Sequence, residues 1–181
     1  MNKKLYIKSL IALSALGIIT FMFSCKSVKV PSDLKVVDNF EVKKYAGLWY
    51  EIARFDFKHE KDMDNVTANY SLNDDGSIKV VNKGYNFKDK EWKETEGKAK
   101  FVESENKGAL KVSFFGPFYA GYNVVKLDKD YKYALIFGES KDYIWILSRE
   151  KTIPTNIKNE YIEFAKNYGY DLSRLVWTKQ E

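Results

Sequence analysis

From Leu48 onward, apolar and polar residues alternate in short runs that recur roughly every 8–12 residues, a pattern that antiparallel strands satisfy and a helical bundle does not. The runs are 48–57, 65–72, 77–85, 92–102, 109–115, 121–128, 131–138 and 142–149. Between them stand NDDG (73–76), NFKDKE (86–91), SENKG (104–108), DKD (128–130) and GESKD (138–142), whose Gly, Asn and Asp suit hairpin turns. Within the runs the faces separate. Val66, Ala68, Tyr70 and Leu72 oppose Thr67, Asn69 and Ser71, and Thr95, Gly97, Ala99 and Phe101 oppose Glu94, Glu96, Lys98 and Lys100. Leu110, Val112 and Phe114 oppose Lys111 and Ser113. One wet and one apolar face per strand is what an antiparallel sheet curled around its own interior requires. The expected fold is therefore all-β, an eight-stranded antiparallel barrel.

The period changes once. Ile157, Tyr161, Phe164, Ala165 and Tyr168 recur at helical spacing and predict a helix over 154–169, capped by Thr152, with Pro154 in its first turn and Gly169 as its stop. Its apolar stripe is expected to pack on the outside of the barrel. A last extended run, Leu172 to Thr178, is expected at a sheet edge.

The first residues obey neither rule. Lys3, Lys4 and Lys8 precede an apolar run from Leu10 to Phe23, too short for a membrane span and ending at small residues, which predicts a secretory signal over 1–24. Cys25 follows at once and is the only cysteine, so an internal disulfide is excluded. Met22-Phe23-Ser24-Cys25 resembles a lipobox, which makes Cys25 the expected lipidated first residue of the mature chain; several acyl chains hold a protein on a membrane where one does not. Residues 25–39, with Pro31 and no sustained period, read as lipidated N-terminus and tether, and 40–181 as the folded domain.

Without Lys3, Lys4 and Lys8 the chain carries 27 basic against 25 acidic side chains, scattered along the strands. No basic stripe of the kind a nucleic-acid partner needs is present in that pattern. His59, the sole histidine, lies in the polar segment FKHEKDMD and reads as an exposed loop residue, so neither a metal site nor a Ser-His-Asp set is expected. Glu94 and Glu96 share the parity of Lys98 and Lys100 and belong to the outer wall.

Two end motifs take the reading further. GLWYEIARFD (47–56) resembles the first signature of the lipocalin family, Gly-x-Trp, here Gly47 and Trp49; DYIWILSR (142–149) resembles the family's arginine after the last barrel strand, here Arg149. The intermediate Thr-Asp-Tyr signature is only partly kept, as Lys129-Asp130-Tyr131 with lysine in place of threonine, a departure that touches a turn. Together with NYSL, NKGYN and ALKVSFFGPFYAGYNV, these segments are similar to the bacterial outer-membrane lipocalins and their animal relative apolipoprotein D, from about Phe40 to Thr178. The resemblance implies an up-and-down barrel with Trp49 plugging its closed end under the guanidinium of Arg149, and a cell-envelope protein tethered to the outer membrane.

It also implies an interior that holds one apolar ligand. Parity from Arg149 places Leu147, Trp145 and Tyr143 on one side, and the family's ligand contacts fall on Trp145, Tyr70 and Asn82, with Tyr119 near the open mouth. Phe55, Val80, Ala99, Val112 and Phe114 complete the apolar wall on alternation alone. The implied ligand is a fatty acid or lysophospholipid, taken up for local capture, storage or transport, with no cofactor and no catalysis; a homodimer is compatible with this. Two other readings stand beside it: a side-chain-filled barrel serving as a protein-interaction module, and an enzyme on the same scaffold, for which no nucleophile is in view once Cys25 is acylated.

Overall fold

The computed structural model describes residues 28–181. The expected signal (1–24) and Cys25, the expected site of lipidation, lie outside the described residues. After a short helix α1 (Val42–Tyr45) come eight strands: β1 (Gly47–Phe55), β2 (Met63–Leu72), β3 (Ile78–Asn86), β4 (Glu91–Phe101), β5 (Ala109–Phe115), β6 (Phe118–Leu127), β7 (Tyr133–Phe137) and β8 (Ile144–Ser148). Each pairs antiparallel with the next, β8 pairs with β1, and β1 pairs with β2, so the sheet closes on itself. Closure removes the free strand edges that would otherwise template aggregation.

The two faces of this wall bury different clusters. Inside lie Trp49, Tyr70, Ile78, Val80, Ala99, Leu110, Val124 and Ile136. Outside, Ile52, Ala53, Phe55, Leu135, Phe137, Ile144 and Ile146 pack beneath helix α2 (Thr155–Asn167), which supplies Tyr161 and Ala165. The outer face of β1, β7 and β8 is thus as apolar as the inner one, which explains why these strands carry continuous buried runs instead of clean alternation.

One irregularity decides which residues of β1 face which cluster. Between Glu51 and Ala53 the register against β8 shifts by one residue. A β-bulge of this kind reverses the parity of everything beyond it. Trp49 and Glu51 face inward, then Arg54 does, opposite Trp145, while Ala53 and Phe55 turn outward.

Several boundaries differ from the expected ones for local reasons. β7 begins at Tyr133 and not at 131, because the Asp128 carboxylate accepts the backbone N–H groups of Asp130, Lys132 and Tyr133 and holds that stretch as a turn. The helix starts one residue later than expected: Pro154 is its N-cap, and the Thr152 carbonyl instead accepts the Ser148 hydroxyl. Gly169, at φ +80°, ends it in the left-handed conformation. The run after it divides into a 3-10 turn (Leu172–Arg174) and a strand β9 (Leu175–Trp177), which lies on β1 where β2 has diverged. Gln180 then bridges the gap, its amide donating to the carbonyls of Glu51 and Val66.

The segment expected as a tether is docked in its second half. The Val37 N–H donates to the Val124 carbonyl and its carbonyl accepts from Gly108, Asp38 bridges Lys107, and Phe40, the first residue of the expected domain, is buried in the interior cluster.

Candidate ligand-binding site

The closed end of the barrel is built around Trp49, which is wholly buried. Gly47 precedes it at φ +95°, a conformation that a side chain would strain, and a Cβ there would sit 3.4 Å from Arg149 Nη1. The Arg149 guanidinium lies 3.9 Å from the centroid of the Trp49 ring. Its Nη2 donates to the carbonyls of Lys44, Tyr45 and Ala46 at the end of α1, its Nη1 to Leu48 and its Nε to Tyr131. One side chain thus ties α1, β1 and the turn before β7 together, satisfying helix-end carbonyls that have no partner inside the helix. The indole N–H of Trp49 in turn donates to the Tyr45 carbonyl at 2.8 Å.

Above Trp49 sits a feature that alternation did not reveal. The hydroxyl of Tyr122 lies 2.6 Å from that of Tyr45 and 2.9 Å from that of Tyr70. Burial holds the phenols of Tyr45, Tyr70 and Tyr122 well above their ordinary range, so all three stay neutral. The space among these rings, Phe40, Ile78 and Leu110, reaching up to Ala99 and Val112, amounts to about 10 Å³, too little for more than a single water. The floor is therefore packed, and any chain held in the barrel lies above it.

The wall above the floor is apolar and less covered. Val80 and Ala99 are buried, while Val112, Phe114 and Trp145 line the same interior cluster in partly exposed positions. Asn82 pairs across to Ala68 and Thr95, and its side-chain carbonyl is buried with no hydrogen-bond partner. Trp145 stands beside Tyr143, with rings inclined by 14° at 6.1 Å, and Phe57 meets both edge-on from the loop that follows β1. Its indole N–H donates to Glu60 of the same loop at 3.1 Å. Burial and the charge of Glu51 push the Glu60 carboxyl up to about 8.

Two residues expected at the site are elsewhere. Phe55 lies outside the barrel, 5.9 Å from the Tyr170 ring with Arg174 over its face, because the β1 bulge reverses its parity. Tyr119 is near the mouth, but Gly121 is opposite Lys111 and Ala120 opposite Val112, so Tyr119 takes the outer face. There its ring lies under Lys111 and lines a groove of about 480 Å³ with the outward Lys79, Glu96 and Lys98 and with Gly97 and Phe114 of the inner face. Tyr70, Asn82, Val80, Ala99, Val112, Phe114 and Trp145 share the interior. His59 is exposed in the loop between β1 and β2, and Glu94 and Glu96 are exposed on the outer wall.

Residues 40–180 match the lipocalin-like domain family. The chain is 51% identical over 157 residues to the outer membrane lipoprotein Blc of Citrobacter freundii, covering 87% of this chain and 89% of that one. The chain belongs to the lipocalin family. It is also 32% identical over 160 residues to mouse apolipoprotein D, covering 84% and 82% of the two chains. Among solved structures, the cockroach allergen Per a 4 superposes with a TM-score of 0.64 at 20% identity, over 86% of this chain and 96% of that one, a likeness of fold.

As a lipocalin, the chain carries its family's two end signatures as one physical unit, the Trp49–Arg149 seal. Four further functional candidates were not legible beforehand: Tyr45, Tyr122, Glu60 and Arg54. Tyr45 sits on a four-residue helix too short to show a period. Glu60 and Arg54 are charged, and alternation assigns charged residues to the outside unless a partner for them is already known.

Proposed function

We propose that this lipocalin is a carrier of single-chain lipids, fixed to the outer membrane through acylated Cys25, that holds a fatty acid or lysophospholipid tail above its tyrosine floor. The relatives about 50% identical to it over 157 residues are outer membrane lipoproteins, which supports an outer-membrane location for this chain. The observation that carries the reading is the gradient along the barrel axis: a sealed floor at Trp49 and a partly exposed apolar wall above it at Val112, Phe114 and Trp145. A tail lying against that wall contributes at most about 0.8 kcal/mol per buried methylene, so a dozen carbons give micromolar binding or better after association costs. The Asn82 side-chain carbonyl, which has no partner, offers a hydrogen-bond acceptor without a net charge. A protein held on the membrane is suited to local capture of stray lipid.

Titration of the mature protein with a lysophospholipid, followed by tryptophan fluorescence, tests this. Saturable change that is weakened in Trp145→Ala supports it; no saturable change, in the folded protein, removes it.

A further inference from the structure

Inside the upper part of the barrel one guanidinium faces two carboxyls. Arg54 is 1% exposed, on the inner face of β1 opposite Trp145. Its Nη1 donates to Glu51 at 2.7 Å and to Thr178 at 3.0 Å, and its Nη2 to the carbonyls of Glu60 at 2.5 Å and Met63 at 3.3 Å. That leaves the Nε–H, which is buried and has no acceptor. Glu60 Oε2 is 3.8 Å from it, beyond hydrogen-bond reach. The same oxygen accepts from Trp145 Nε1. Two donors fixed on neighbouring strands of the wall therefore converge on one position, and the carboxyl found there comes from the loop between β1 and β2.

We propose that the Arg54 Nε–H and Trp145 Nε1–H donors form the headgroup site for the carboxylate of a single-chain fatty acid, and that Glu60 is a resident competitor which the ligand displaces. This rests on the carrier reading and adds to it the chemistry of the head. Glu60 fits the position poorly: it reaches one donor, leaves the other unpaired, and shares a buried neighbourhood with Glu51, whose carboxylate already takes Arg54 Nη1 and the Thr178 hydroxyl. Asp56, at the end of β1, adds a third acid 3.5 Å from Nη2. A carboxylate arriving on an acyl chain from the cavity can approach both donors, since nothing ties it to the loop backbone. Glu60, once displaced, regains water and ionises there, releasing its proton to solvent, while the interior exchanges a protonated carboxyl for a carboxylate whose charge faces the Arg54 guanidinium. Burying an unpaired donor is costly, so filling it favours the ligand.

The test compares hexadecanoate with neutral 1-monohexadecanoylglycerol on the mature protein, on Glu60→Gln and on Glu60→Asp, with fold checked by circular dichroism. Glu60→Gln removes a competing acid, and is expected to tighten hexadecanoate by about tenfold relative to the monoacylglycerol. Glu60→Asp, which withdraws the carboxyl, is expected to shift the ratio in the same direction. An unchanged or lowered preference for hexadecanoate in the folded variants overturns the proposal while leaving the carrier reading in place. Failure of both lipids to bind the parent protein overturns both.

Discussion

Arg149 and Trp49, a hundred positions apart in the chain, form a single seal: the guanidinium lies 3.9 Å from the ring centroid and donates to the carbonyls of Lys44, Tyr45, Ala46 and Leu48 around it. The pair joins the first strand of the barrel to the end of the last one. Hydrogen bonds from a charged donor and a cation–π contact act here at the same atom group. Arg149→Ala is therefore expected to destabilise the protein by about 2–4 kcal/mol, and Arg149→Lys by nearly as much, because an ammonium lacks the planar fork. Urea denaturation checks both.

The tyrosine floor predicts a second effect. Tyr122→Phe leaves the buried hydroxyls of Tyr45 and Tyr70 without the partner they share, at an expected cost of about 1–3 kcal/mol. An ultraviolet titration of the parent protein should show tyrosines that stay protonated past the pH at which free phenols ionise, since burial raises all three. The stability from these groups is present below the unfolded value near 10 and is lost as pH rises above it.

Glu60 predicts a pH dependence of stability. Its folded carboxyl stands at about 8 against 4.5 for a free one, so the folded state holds a proton that the unfolded chain releases. Its stabilising contribution is complete below pH 4.5 and fades as pH rises through 8. Urea midpoints should be higher at the acidic end of that window, and Glu60→Gln should flatten the slope. Some slope remains from Glu51, which burial also raises.

Phe55 separates stability from binding. Its ring packs with Tyr170 and under Arg174 outside the barrel. Phe55→Ala should cost about 3–5 kcal/mol while leaving lipid affinity per folded molecule unchanged. A loss of affinity in the folded variant would return the residue to the interior.

These contrasts also show how much could be read from the chain. The strand count, the closing signatures and the C-terminal helix rest on periodicity and on residues whose type is demanded locally, such as Gly47 at its positive φ. Alternation puts Phe55 inside, whereas a one-residue bulge between Glu51 and Ala53, which leaves no mark in the sequence, reverses every side chain after it. Tyr119 lies near the mouth as expected, but its outward facing depends on the register across the β5–β6 hairpin, which alternation does not carry. Arg54, Glu51 and Glu60 leave no inward signal in the sequence, since a charged residue is assigned inward only when its partners are known, and these partners come from β1, a loop and the C-terminal segment.

Native mass spectrometry of the delipidated mature protein with one lysophospholipid or fatty acid added tests the central claim most directly. The barrel described here predicts a single saturating adduct, one acyl chain per protein chain, reduced in Trp145→Ala. A spectrum of folded protein that stays unliganded, or that gains adducts without a plateau, would contradict it.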